Sequence, residues 1–142
     1  MKILVLNGPN INMLGIREPN IYGKETFANL IQLLQQWAKE FDVEIEQFQS
    51  NHEGDLVDKI QSAYNTFDAI VINPAAYTHT SIAILDALKS VSLPAVEVHI
   101  SDPNTREEFR HISYAGLACI KTIKGLGLTG YKEAIRYLVK NC

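Results

Sequence analysis

The chain has 142 residues, 46% of them hydrophobic and 20% charged, and 13 basic against 16 acidic side chains leave a net charge of −3. That is ordinary globular usage at a length that buries a core unaided, and it fits one domain over 1–142. It lacks the concentrated basic face that nucleic acid or an anionic membrane demands, and no apolar run approaches membrane-spanning length, so a soluble cytoplasmic protein is expected.

Residues 3–6, Ile-Leu-Val-Leu, form a short continuous apolar run stopped by Asn7-Gly8-Pro9. Such a run is too short for a signal-peptide core and reads as a strand buried on both faces. Phe27, Leu30, Ile31, Leu34, Trp37, Ala38 and Phe41 recur at helical spacing and predict one long amphipathic helix. Val43, Ile45 and Phe48 predict a second strand, and Leu56, Ile60, Ala63 and Phe67 a second helix. Asp68-Ala-Ile-Val-Ile-Asn73-Pro74 reads as a third buried strand with a hard stop. A helix over about 80–90 follows, with Thr80 or Ser81 available as N-cap. Residues 94–100 predict the fourth strand, 107–111 a short helical segment and 118–123 the fifth strand. Tyr131, Ala134, Ile135, Leu138 and Val139 stripe a final helix. Strict alternation of strand and helix implies right-handed crossovers and a parallel sheet covered on both faces, and five strands fit the flavodoxin-like order 2-1-3-4-5.

In open α/β sheets the ligand sits outside the carboxyl ends of the strands. Those ends carry Asn7-Gly-Pro-Asn10-Ile-Asn12, Ser50-Asn-His-Glu-Gly54, Asn73-Pro-Ala-Ala-Tyr77-Thr-His79-Thr80 and Glu97-Val-His99-Ile-Ser101. Lys2, Asp42, Asp68 and Pro94 at the opposite ends read as plain turn chemistry. Uncharged hydrogen-bonding groups and imidazoles thus gather on one edge, a set suited to a ligand rich in hydroxyls. The connection over 7–23 is long for a βα loop, where roughly 2–6 residues is usual, and it carries Arg17 and Tyr22. A phenol titrates near pH ~10 and makes a poor base at neutrality, but a nearby guanidinium favours the phenolate. Spacing alone leaves this open against an ordinary surface arginine and a half-buried tyrosine.

Glu97 and His99 lie two apart on one strand and share a face. A carboxylate there orients the imidazole and keeps it protonated, as a general acid needs, while a structural ion pair is the alternative. His79, near a helix N-terminus, reads alone as a capping or hydrogen-bonding residue, and His52 and His111 as structural or surface residues. The four histidines show no metal-ligand spacing, and Cys119 and Cys142 offer neither a disulfide framework nor a zinc pattern, so two free thiols and no metal are expected. Gly125-Leu-Gly127-Leu-Thr-Gly130 fits G-x-G-x-x-G between a strand and a helix. A dinucleotide loop needs a following strand and an acidic residue about 20 positions on; only twelve residues remain, and turn and packing glycines explain the match. A phosphorylatable receiver would place aspartates where Asn7 and Asn73 stand, and a flavin carrier would put Ser or Thr in the first loop. A non-catalytic module binding flavin or a polyol acid stays as the rival reading.

Asn7-Gly-Pro-Asn-Ile-Asn-Met-Leu-Gly15, with Arg17-Glu-Pro19 and Tyr22-Gly23, resembles the N-terminal signature of type II 3-dehydroquinate dehydratases. Ser50 to Gly54, Ile72-Asn-Pro-Ala-Ala-Tyr-Thr-His-Thr-Ser81, Val96-Glu-Val-His-Ile-Ser101 and Arg106-Glu-Glu-Phe-Arg110 resemble four further family blocks, in family order and over nearly the whole chain. The resemblance implies conversion of 3-dehydroquinate to 3-dehydroshikimate by anti elimination of water through an enolate, with no cofactor, Schiff base or metal. Carried over by position, Tyr22 is the base, Arg17 lowers its pKa, and Asn12 helps hold a water at the enolate oxygen. His99, oriented by Glu97, protonates the departing hydroxyl. Asn73 and the backbone of Ile100 and Ser101 bind the substrate carboxylate, His79 and Arg110 bind ring hydroxyls, and Arg106 helps clamp a closed lid. Asp86 corresponds to a residue that reaches the neighbouring subunit's site, and the family's assembly, a dodecamer built as a tetramer of trimers, is expected here. Ile82, Ile84, Leu85 and Leu88 make that helix apolar on more than one face, as a helix seeking a partner would be. Leu85 and Leu126 depart from the family pattern, the first leaving interface detail open.

Overall fold

Ile3, Leu4, Val5 and Leu6 are each 0% exposed, and they form an inner strand of a five-stranded parallel sheet of order β2-β1-β3-β4-β5. The computed structural model describes residues 1–16, 18–22 and 24–142, without the side chains of Pro19 and Tyr22. The strands are β1 (Lys2–Asn7), β2 (Glu44–Gln49), β3 (Ala69–Asn73), β4 (Ala95–His99) and β5 (Lys121–Lys124). The helices are α1 (Pro19–Tyr22), α2 (Phe27–Glu40), α3 (Glu53–Ser62), α4 (Ile82–Val91) and α5 (Thr129–Asn141), with short 3-10 turns in the connections. The strand order is the one that the alternating pattern predicts.

Because successive strand residues point to opposite faces, the inner strands feed two cores. Ile3, Val5, Val71, Val96 and Val98 pack with Leu30, Leu34 and Trp37 of α2 and with Tyr131, Ile135 and Leu138 of α5. Leu4, Leu6, Ile70 and Ile72 pack with Leu56 and Ile60 of α3 and with Ile84, Leu88 and Val91 of α4. Full burial of each such aliphatic side chain contributes about 2 kcal/mol. Parity also decides where polar strand ends point. Asn7 and Asn73, paired in register, share the face of α5, while Glu97 and His99 share the face of Ala95 on the other side.

Local chemistry sets the helix ends. Thr26 and Asn29 form a capping box at α2, with Asn29 N–H donating to Thr26 Oγ1 at 3.1 Å and Thr26 N–H to Asn29 Oδ1 at 2.8 Å. At α4 the cap is Ser81, whose Oγ accepts from the Ile84 N–H at 2.9 Å, so Ser81 and not Thr80 starts the helix.

Four expectations are corrected. The fifth strand starts at Lys121, because Ala115–Ala118 is a 3-10 turn whose Ala115 and Ala118 pack on the α3/α4 side. Phe67 is buried but lies beyond α3, reaching the core from the turn after Ser62. Phe48 faces the opposite core from Val43 and Ile45. In α4, Ile84, Leu85 and Leu88 are all buried within the chain and only Ile82 is exposed, so the doubled apolar face is largely used internally.

Candidate active site

The carboxyl ends of β1, β3 and β4 open into a pocket of about 210 Å³. Its lining includes Asn73, His79, His99, Ile100, Ser101, Arg106 and Arg110, seven of the residues that the sequence singled out. Pro9, Asn10 and Ile11 close it from the loop after β1. That loop is tied to its neighbour: Asn10 N–H donates to Asn51 Oδ1 at 3.0 Å, and Gln49 Nε2 donates to Gly8 O at 3.2 Å.

Glu97, 1% exposed, sits directly behind His99, with its Oε2 3.0 Å from His99 Nε2. Thr122 Oγ1 donates to Glu97 Oε1 at 2.9 Å, and the Ser113 hydroxyl donates to Oε2. Ser113 Oγ in turn accepts from the Gly116 N–H at 2.9 Å, which fixes the direction of its own donation. Burial would push the Glu97 carboxyl up, but the hydrogen bond and charge of His99 and the two hydroxyl donors hold it below the ordinary carboxylate value. Glu97 is therefore a buried carboxylate that fixes the imidazole by Nε2 and leaves His99 Nδ1 to meet a ligand. Ser113 and Thr122 escaped the sequence reading. Thr122 meets Glu97 only through the register of β4 with β5, and Ser113 lies in an irregular segment with no periodic signal.

His79 donates Nδ1–H to Ile112 O at 2.7 Å. Burial lowers its pKa below 6.5, with the charges of His99 and Arg110 adding to the effect against the Ile112 bond and Glu97. A neutral ring so oriented presents Nε2 as an acceptor for a hydroxyl. Arg110 Nε donates to Glu107 Oε2 at 2.7 Å, an arrangement that steadies the guanidinium at the pocket wall.

Asn73 is held from behind. Its Nδ2 donates to Tyr131 Oη at 3.0 Å, its Oδ1 accepts from the Ala75 N–H at 3.1 Å, and Tyr131 Oη donates to Asn7 Oδ1 at 2.5 Å. Asn7 Nδ2 continues the chain to Gln47 Oε1 at 3.0 Å. Tyr131 is 0% exposed, and burial pushes its phenol up, against the bond from Asn73. The sequence reading took Tyr131 only as core; a fully buried phenol needs partners for its hydroxyl, which is the signal it carried.

Two predicted residues lie away from this pocket. Asn12 accepts from Gln49 Nε2 at 3.3 Å and is not among the lining residues. Asp86 is exposed on α4 and does not reach its own chain's pocket. Arg17 and the side chain of Tyr22 lie outside the described residues. Among the described residues no group of three or more His, Cys, Asp or Glu is placed to hold a metal ion. Burial pushes the Cys119 thiol up to about 12, which removes it as a nucleophile near neutrality. No helix among the described residues is long and apolar enough to cross a membrane.

Comparison with known proteins places this arrangement. The family model described as dehydroquinase class II matches residues 1–139. The 3-dehydroquinate dehydratase of Endomicrobium trichonymphae is 60% identical over 138 residues, covering 97% of this chain and 96% of the relative. That of Lachnoclostridium phytofermentans is 56% identical over 140 residues, covering 98% and 97%. The crystal structure of a type II dehydroquinase from Butyrivibrio crossotus superposes with a TM-score of 0.96 at 56% identity, covering 97% of each chain.

Proposed function

The chain belongs to the class II dehydroquinase family, and we propose that its pocket carries out the reaction named in its relatives, dehydration of 3-dehydroquinate, here to 3-dehydroshikimate. It is a hydro-lyase. The observation that carries this reading is the convergence, in one small polar cavity, of His99 held by buried Glu97 with neutral His79, Asn73 and the backbone of Ile100 and Ser101.

The elimination is anti and passes through an enolate. Tyr22 removes the proton alpha to the ketone, with its pKa lowered by Arg17. A water held with the help of Asn12 stabilises the enolate oxygen, a preorganised electrostatic contribution. His99 protonates the departing hydroxyl through Nδ1, and Glu97 holds the ring for that transfer. The Asn73 amide, fixed by Tyr131, and the N–H groups of Ile100 and Ser101 receive the substrate carboxylate. His79 accepts from a ring hydroxyl, Arg110 donates to another, and Arg106 clamps the closed loop over 7–23. No cofactor or metal takes part.

Asp86 serves the site of a neighbouring subunit, in a dodecamer built as a tetramer of trimers. Its exposure on α4, away from its own pocket, and the exposed Ile82 on the same helix support that reading. We read residues 1–142 as one catalytic domain, since both cores are built on a single sheet, and place its work in the cytoplasm, in the shikimate or quinate pathway.

The test is ultraviolet absorbance during incubation of the purified protein with 3-dehydroquinate in the presence of a chelator. The product is a conjugated enone carboxylate that absorbs where the substrate barely does. Wild type is expected to give a rising signal, and folded Tyr22→Phe and Arg17→Ala none. A flat wild-type trace would reject the reading; full activity in either variant would reject the assigned mechanism. A non-catalytic binder of polyol acids would give saturable binding and no product, and it would have no use for a buried carboxylate locked behind an imidazole.

A further inference from the structure

The glycine motif between β5 and α5, which a nucleotide does not explain, has a structural partner in the loop after β4. Gly125 N–H lies 3.2 Å from both His99 O and Ser101 O, and Gly127 N–H donates to Ile100 O at 3.0 Å. Three successive carbonyls of the pocket wall are thus gripped from behind by two amides two residues apart. In a planar trans peptide the N–H points opposite to the C=O. The Gly125 bond to His99 O therefore directs the Ile100 N–H away from the glycine loop, and the Gly127 bond to Ile100 O does the same for the Ser101 N–H. Both residues line the pocket, and neither of their N–H groups has a hydrogen-bond partner among the described residues. Ile100 is 6% exposed, and it borders the pocket into which its amide is directed.

From this we infer that Gly125 and Gly127 are positioning residues: they hold the Ile100 and Ser101 amides as a preformed anion-binding pair. The inference rests on the proposed binding of the substrate carboxylate at those amides and supplies the reason they stand ready for it. Both glycines have positive φ, +78° and +61°. A Cβ at Gly127 would meet nothing within 4 Å, and one at Gly125 would make only ordinary contact with Asp102 at 3.5 Å. Glycine is therefore required by the backbone conformation and not by space. Left-handed geometry is tolerated by Asn and costly for β-branched residues, so the substitutions can be graded by backbone cost with no clash at Cβ. Leu126, between the glycines, is exposed and takes no part in the grip.

The experiment measures dissociation constants for quinate, the alcohol corresponding to the substrate ketone, and for its primary carboxamide. Wild type is compared with Gly127→Asn, Gly127→Val, Gly125→Val and Leu126→Ala, with thermal unfolding of each variant alongside. Wild type is expected to prefer the carboxylate. The valine variants are expected to lose roughly 10- to 100-fold in quinate affinity, the range of hydrogen bonds to a charged group, with a change under about threefold for the carboxamide. KM for 3-dehydroquinate should rise far more than kcat falls, the mark of lost uniform binding. Leu126→Ala should stay close to wild type, and Gly127→Asn, better tolerated at positive φ, should lose less quinate affinity than Gly127→Val. A general loosening of the fold would weaken both ligands alike and would overturn the inference, as would valine variants that keep the wild-type preference. Should a valine variant fail to fold, Gly127→Ala, strained but unclashed, carries the same comparison. No carboxylate preference in wild type would instead overturn the carboxylate assignment on which the inference stands.

Discussion

Removing one oxygen atom tests how the strand ends are held. Tyr131→Phe deletes a hydroxyl that is 0% exposed, donates to Asn7 Oδ1 at 2.5 Å and accepts from Asn73 Nδ2 at 3.0 Å. The ring stays in place among Val71, Val98 and Ile135, so no cavity of consequence opens. What is lost is a partner for each of two buried amides, at about 1–3 kcal/mol per group. Relief from burying the phenol itself offsets part of that, leaving a destabilisation of about 2–3 kcal/mol. At about 2.1 cal/mol/K of unfolding entropy per residue over the 142 residues, Tm should fall by about 7–10 °C. Thermal unfolding by circular dichroism, at matched protein concentration, reads the shift. The pH dependence gives a second readout. Burial raises the phenol pKa above 10.0 in the folded state, so the unfolded chain releases this proton at lower pH than the folded one. That contribution is whole below pH about 10 and is lost as pH rises further; Tyr131→Phe should lack it. A Tm within about 2 °C of wild type, or an unchanged alkaline limb, would refute the account of the Asn7-Tyr131-Asn73 chain.

Two more substitutions probe the same edge from other sides. Gly8→Ala would place a Cβ 2.3 Å from Pro74 O and 2.7 Å from Pro74 C, so the ends of β1 and β3 must part; a loss of about 3 kcal/mol or more in a denaturant melt is expected, with activity falling alongside. Glu97→Gln turns an amide toward the hydroxyls of Ser113 and Thr122, which donate to the carboxylate, and kcat should drop by about 100-fold or more. Because the Glu97 pKa is lowered from 4.5 in the folded state, its contribution to stability is present above pH 4.5 and disappears as pH falls through the lower folded value. An acid unfolding curve as steep in Glu97→Gln as in wild type would contradict this.

How far the sequence foretold these features depends on whether a signal was local. The three central strands, β1, β3 and β4, announce themselves because burial on both faces leaves them mostly apolar, as with Ala69 to Asn73, each buried. Edge strands lack that signature. Only Ile123 of β5 is buried, so the apolar run at 117–120 drew the prediction three residues too early. Glu97 and His99 were legible as a pair because a period of two places them on one face whatever the rest of the chain does. Their supporters were not, since Ser113 is brought to Glu97 by an irregular turn and Thr122 by a strand register that composition does not set.

The two halves of the pocket wall are supported from opposite faces of the sheet, and the glycine motif serves the stretch of chain between them. His99 and Glu97 are held on the α3/α4 face by Ser113 and Thr122, Asn73 on the α5 face by Tyr131. Between them the chain leaves β4 with the amides of Ile100 and Ser101 turned from the glycine loop, because their neighbouring carbonyls are held by main-chain N–H groups. Gly125 and Gly127 supply that grip and Tyr131 follows four residues later, so the glycine motif and the start of α5 together support the proposed carboxylate end of the site. Read linearly, the glycines resemble a phosphate loop opening a helix. In the fold their N–H groups point at protein carbonyls, so they shape an anion site one layer away instead of forming it. A glycine-rich turn before a helix therefore says that backbone amides are being aimed; only the tertiary partner tells at what.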